Sequence, residues 1–76
     1  MARYGNLSRG SGIIAYEIGD NSITVEFEKG KVRNYLYTYA SAGIDNIEQM
    51  KVLAIAGQGL NSFIDRVVRN HYAGKW

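Results

Sequence analysis

From Glu26 to Tyr39 the chain has little choice but to turn back on itself. Glu26-Phe27-Glu28-Lys29-Gly30 is followed by Lys31, Arg33, Tyr35, Tyr37 and Tyr39, a cation or a tyrosine at every second position. Side chains alternate between the two faces of a strand, so these five are predicted to project from one side of a sheet. Ile23-Thr24-Val25-Glu26-Phe27 alternates apolar and polar in the same way and supplies the partner strand. Lys29-Gly30 then closes a hairpin in one of two registers. A two-residue turn pairs Glu28 with Lys31, places the tyrosines away from Val25 and Phe27, and requires positive φ at Lys29. A three-residue loop with a glycine bulge pairs Phe27 with Lys31, requires positive φ only at Gly30, and turns the tyrosines toward the core. One residue of slip reverses every side chain, so the two registers imply opposite surfaces.

The rest of the chain extends this hairpin into a small α+β domain. Ile13 to Ile18 reads as a first strand with Ile14, Tyr16 and Ile18 on one face, and Gly19-Asp20-Asn21-Ser22 as the turn that follows. Ser41 or Gly43 can open a helix whose early turns carry Asp45 and Glu48. Its apolar stripe is Ile44, Ile47, Met50 and Ala54, with Leu53 at the margin and Gly57 as a left-handed stop. A second helix is predicted from Leu60 to about Tyr72, with Leu60, Phe63, Ile64, Val67 and His71 facing inward. The expected architecture is a three-stranded antiparallel meander followed by two helices packed on one face, in the order βββαα. Residues 1–12, rich in Gly, Ser, Asn and Arg, are expected to be a flexible arm; residues 13–72 form the single domain, and residues 73–76 a tail ending in Trp76.

Composition sets the limits. A chain of 76 residues holds one core at most and buries only roughly 60% of its unfolded surface. It has no cysteine, which excludes disulfides and thiolate zinc sites. No apolar run reaches membrane-spanning length and the first twelve residues lack the apolar centre of a secretory signal, so a soluble, cytoplasmic protein is expected, with no membrane partner. The net charge of +2 is mild, but Arg66, Arg69 and Lys75 make the C-terminal stretch basic.

Several short segments resemble the KTSC domain, a small module found alone in bacterial and phage proteins and at the end of some lysyl-tRNA synthetases. They are Ser11-Gly12-Ile13, Ile23-Thr24-Val25-Glu26-Phe27 with Gly30, a tyrosine-x-tyrosine, and Ala54 with Gly57-Gln58-Gly59-Leu60-Asn61-Ser62-Phe63-Ile64, then a basic stretch ending in His71-Tyr72. The resemblance spans residues 11–72 and implies the βββαα order and the register that turns the tyrosines inward. It departs from the family at Arg33, where the first tyrosine usually stands, and in lacking the usual proline before the first helix. The family's activity is unknown; RNA binding is implied by its attachment to a synthetase.

The residues themselves point the same way and also admit plainer roles. Arg33, Tyr35, Tyr37, Arg66 and Arg69 form the candidate nucleic-acid-binding set. Tyrosine rings stack bases at about 1–3 kcal/mol each, and arginines hold phosphates with a salt-sensitive affinity. Equally, Tyr35 and Tyr37 suit a strand packed beneath helices, and Arg66 and Arg69 a solvated face, with Asp65 and Arg69 paired at i, i+4 for about 0.3–0.5 kcal/mol. His71, the single histidine, reads as packed on an apolar stripe. Gly57-Gln58-Gly59 lacks the Lys-Ser/Thr and spacing of a phosphate-binding loop and reads as an interhelical turn. No nucleophile–base pair or metal-ligand cluster is evident, so neither an enzyme nor a cofactor is expected. The expected partner is RNA or another single-stranded nucleic acid; the alternative is a protein-interaction module, or a homo-oligomer formed through an edge strand.

Overall fold

The structure, a computed structural model, describes residues 1–7 and 10–76; Ser8 and Arg9, part of the expected arm, lie outside the described residues. Strand β1 is Ala2–Arg3, β2 Ile13–Ile18, β3 Ser22–Phe27 and β4 Asn34–Thr38. Three helices follow, α1 at Tyr39–Ala42, α2 at Ile44–Ala56 and α3 at Leu60–Phe63, the last continuing as a π-helical turn over Ile64–Val68; Gly74–Lys75 is β5. The fold is α+β, but its antiparallel sheet has five strands in the order β1-β2-β3-β4-β5 where three were expected.

Both additional strands are two-residue edges. Ala2 and Arg3 pair with Tyr16 and Ala15. The next residue, Tyr4, is 4% exposed and belongs to the core, so the N-terminal stretch is not a loose arm at this point. Gly74 and Lys75 pair with Leu36 and Tyr35, and Trp76 exchanges backbone hydrogen bonds with Asn34, so the expected tail closes the opposite edge. Two-residue strands carry no alternation to detect, and such short edges blunt a sheet against further pairing.

The helices lie on one face of the sheet. Ile23, Val25 and Tyr37 point into them and are buried, meeting Ile47, Met50 and Ala54 of α2 and Leu60, Ile64 and Val68 of the last helical segment. Each fully buried aliphatic side chain there contributes about 1.5–3 kcal/mol relative to exposure. On β2 the expected face is corrected by a bulge. Ile13 opposes Phe27 while Ala15 opposes Glu26, leaving Ile14 as the extra residue. Ile13 therefore enters the core and Ile14 is 41% exposed.

The helices also depart from the predicted stripes. Thr38 ends β4 early: its Oγ1 accepts from Ser41 N–H while Ser41 Oγ accepts from Thr38 N–H, a reciprocal cap that starts α1 at Tyr39. Tyr39 thus leaves the tyrosine row. Gly43 opens α2 and the left-handed Gly57 closes it, but Ile44 is 59% exposed and outside the core. After Phe63 the chain widens, and Arg69 N–H reaches back five residues to the Ile64 carbonyl. This shifts the buried positions to Leu60, Ile64 and Val68, leaving Val67 and His71 exposed. The helix ends at Val68, with Arg69 at φ 37° and ψ −107°, instead of running to Tyr72.

Candidate nucleic-acid interface

Neither predicted turn joins β3 to β4. Phe27 N–H bonds the Arg33 carbonyl, leaving a five-residue loop, Glu28–Val32, with Gly30 at φ 107°. Val25 opposes Tyr35 and Ile23 opposes Tyr37, two residues on from the three-residue-loop pairing. A shift of two keeps the parity, so Tyr35 and Tyr37 do lie on the core face.

An open cleft of about 520 Å³ lies where this loop, β4, β5 and the π turn meet. Its base is aromatic: Phe27 meets Tyr35 edge-on at 5.5 Å between centroids, and Tyr35 meets Tyr72 at 5.3 Å. Both tyrosines are half-buried. Lys29 enters from the loop, Arg69 from the end of the π turn and Lys75 from β5, the last with its ammonium 5.3 Å from the Tyr72 ring centroid. Tyr72 holds the Lys75 pKa above the ordinary lysine value, first through side-chain hydrogen bonding and then through charge. Three cations and half-buried rings thus share one concavity, with Asp65 its single acid among the lining residues.

Of the five residues proposed from sequence, the cleft gathers three. Tyr35 lines it and is half-buried. Tyr37 lines its floor but is 2% exposed, with its hydroxyl donated to the Arg69 carbonyl at 3.1 Å. That ring has no free face to stack a base. Burial, then the neighbouring Tyr35, Tyr72 and Asp65, push its pKa up to about 12. Arg69 lines the cleft through the π turn. Arg33 does not line it; its Nε donates to the Gly30 carbonyl at 2.9 Å and braces the loop. Arg66 is exposed and also lies outside the lining.

The predicted Asp65–Arg69 pair is absent: among the described residues the single ion pair is Lys51–Glu48, at 2.9 Å. The π turn destroys the i, i+4 alignment on which the expected pair depended. Lys51 and Glu48 form a separate exposed cluster with Tyr39, whose hydroxyl donates to Glu48 Oε2 at 2.6 Å and lowers that carboxyl's pKa.

Sequence reasoning missed Tyr72, Lys75, Lys29 and Phe27 as cleft residues. The available signal was the pair Tyr72 and Lys75 in the basic C-terminal stretch, but their approach to Tyr35 depends on β5, which is too short to announce itself. Among the described residues no group of His, Cys, Asp or Glu could hold a metal ion, and no helix is long and apolar enough to cross a membrane.

These features define a small α+β domain with an aromatic, cation-lined cleft at one end of its sheet. No family model matches the chain, and no match was found among curated proteins or solved structures.

Proposed function

We propose that this chain is a cytoplasmic, non-enzymatic, KTSC-like module that binds single-stranded RNA in the cleft between the Glu28–Val32 loop and the π turn. The observation that carries the reading is the meeting of Tyr35 and Tyr72 with Lys29, Arg69 and Lys75 in one open concavity. Half-buried rings offer stacking surface, and cations at the same rim offer phosphate contacts, the combination used by proteins that track single strands. The site is therefore Tyr35, Arg69, Tyr72, Lys29 and Lys75. Tyr37 supports it from beneath, and Arg33 and Arg66 stand outside it. Titration of the labelled protein with short RNA oligomers tests this by NMR. Shifts concentrated at Tyr35, Arg69, Tyr72 and Lys75 are expected, and saturating RNA that leaves those signals unmoved rejects the reading.

A second reading, self-association, draws support from α2. Ile44, Val52 and Ile55 are 59%, 59% and 70% exposed and share one side of that helix. The short edge strands make this face a better route to a homo-oligomer than edge pairing. Sedimentation equilibrium with Ile55→Glu distinguishes it: a dimer that dissociates on substitution supports the reading, and a monomer at high concentration rejects it.

A further inference from the structure

Asp65 is the anomaly in the cleft. A polyanion approaching Lys29, Arg69 and Lys75 also approaches this carboxylate, which opposes it unless the bound strand returns something in exchange. No protein cation neutralises the group, because the π turn takes Arg69 out of i, i+4 register and no ion pair to Asp65 exists among the described residues. The carboxylate is close enough to the aromatic floor for its charge to be felt at the Tyr37 phenol. An ionised carboxylate only accepts hydrogen bonds, through two oxygens side by side. Asp65 lines the same cavity as Tyr35 and Tyr72, so a base seated there would meet an acceptor pair.

The nucleobases differ in what they can offer it. Guanine presents N1–H and N2–H₂ as adjacent, parallel donors on its Watson–Crick edge, the bidentate match for a carboxylate. Adenine and cytosine present one exocyclic amine beside a ring-nitrogen acceptor. Uracil presents one N–H between two carbonyls, which face the carboxylate unfavourably. We infer that the cleft selects guanine, with Asp65 accepting from the N1–H and N2–H of a base stacked at Tyr35 and Tyr72 while Arg69 and Lys75 hold adjoining phosphates. This rests on the RNA-binding reading above and adds a base preference to it. The absent ion pair then acquires a purpose: Asp65 and Arg69 line the same cavity, and each keeps its charge for a different part of one nucleotide.

The test uses short oligouridines with a single central G, A, C, U or inosine, measured by fluorescence anisotropy with the full chain and with Asp65→Asn. For the full chain the G oligomer should bind about tenfold more tightly than the U oligomer, within the discrimination of one bidentate base contact. Inosine, which lacks the N2 amine, should fall between them. In Asp65→Asn the ratio should approach one, because the G oligomer loses its acceptor pair while the U oligomer gains from removal of a repelling charge. Equal binding of all oligomers to the full chain overturns guanine selection and leaves RNA binding standing. A preference for G that survives Asp65→Asn overturns the role of Asp65. No binding by any oligomer overturns both this inference and the RNA reading. Asp65 is exposed, so Asp65→Asn should keep the native amide spectrum, and the inosine comparison needs no variant.

Discussion

The hydroxyl of Tyr37 donates to the carbonyl of Arg69 across 3.1 Å, tying the middle of β4 to the residue where the π turn ends. Arg69 adopts φ 37°, unusual for a residue with a side chain, and this bond helps hold it there. Replacing Tyr37 with Phe keeps the ring and removes the bond. A loss of about 1 kcal/mol at neutral pH is expected, with the Arg69 carbonyl losing a partner. Urea unfolding measures it.

The same phenol sets a pH dependence. Its folded pKa is about 12 against an ordinary value of 10.0, so in this window the folded state holds a proton that the unfolded state releases. Its contribution is fully present below pH 10 and declines as pH rises toward 12, by about 1.4 kcal/mol per unit. Tyr37→Phe lacks that decline. The wild-type advantage over the variant should therefore shrink to zero and then reverse as pH is raised from 10 to 12; a gap that stays constant would refute the assigned cause.

Gly57 predicts a sharper loss. It sits at φ 76° and ψ 20°, where it ends α2, and a Cβ there would lie 3.2 Å from the Cα of Gly5. The neighbour is backbone, held by the bond from Leu7 N–H to the Gly57 carbonyl. Gly57→Ala thus combines a left-handed penalty of about 1 kcal/mol with a contact that neither segment can relieve by rotating a side chain. A total loss of about 2 kcal/mol or more is expected in thermal unfolding. Gly10→Ala has the same sign of φ but open space around it, and should cost about 1 kcal/mol.

How much of this could be read beforehand depended on whether a signal was local. The alternation in Ile23–Phe27, the inward stripe of Ile47, Met50 and Ala54, and the stop at Gly57 are properties of short windows, and they hold in the fold. Periodicity alone places Ile14 and Val67 on the wrong faces, because it carries unbroken through a bulge and a π turn that each insert a residue's worth of phase. The hairpin register was legible in parity but not in pairing, since Arg33 braces a longer loop through the Gly30 carbonyl. The cleft was half visible. Tyr35 and Arg69 stood out by type, whereas Tyr72 and Lys75 reach it through two strand residues that no alternation can reveal.

Tyr4 carries a prediction against the expected loose arm. It is 4% exposed, and its hydroxyl accepts from the Leu60 N–H at 3.3 Å, satisfying one of the free donors at the start of α3. Tyr4→Phe should cost about 1 kcal/mol by orphaning that donor, and Tyr4→Ala about 3–5 kcal/mol by emptying the site. In a domain this small the second loss approaches the whole stability. Limited proteolysis and circular dichroism would detect it; an Ala variant as stable as wild type would return these residues to the status of an appendage.

The cations divide by position rather than by type, and salt dependence separates them. Arg69 and Lys75 line the cleft, so each alanine substitution should lower the slope of log affinity against log salt for RNA by about one unit. Arg66 lies outside the lining, and Arg66→Ala should leave the slope nearly unchanged although it removes the same charge. Arg33→Ala should also spare the slope while loosening the Glu28–Val32 loop, read as faster amide exchange there, because its guanidinium is engaged with Gly30. Tyr72 raises the Lys75 pKa, so the Lys75 contribution should extend to more alkaline pH in wild type than in Tyr72→Phe, which lacks the hydroxyl. Equal slopes for Arg66→Ala and Arg69→Ala would mean that RNA reads overall charge and that the cleft does not organise its binding.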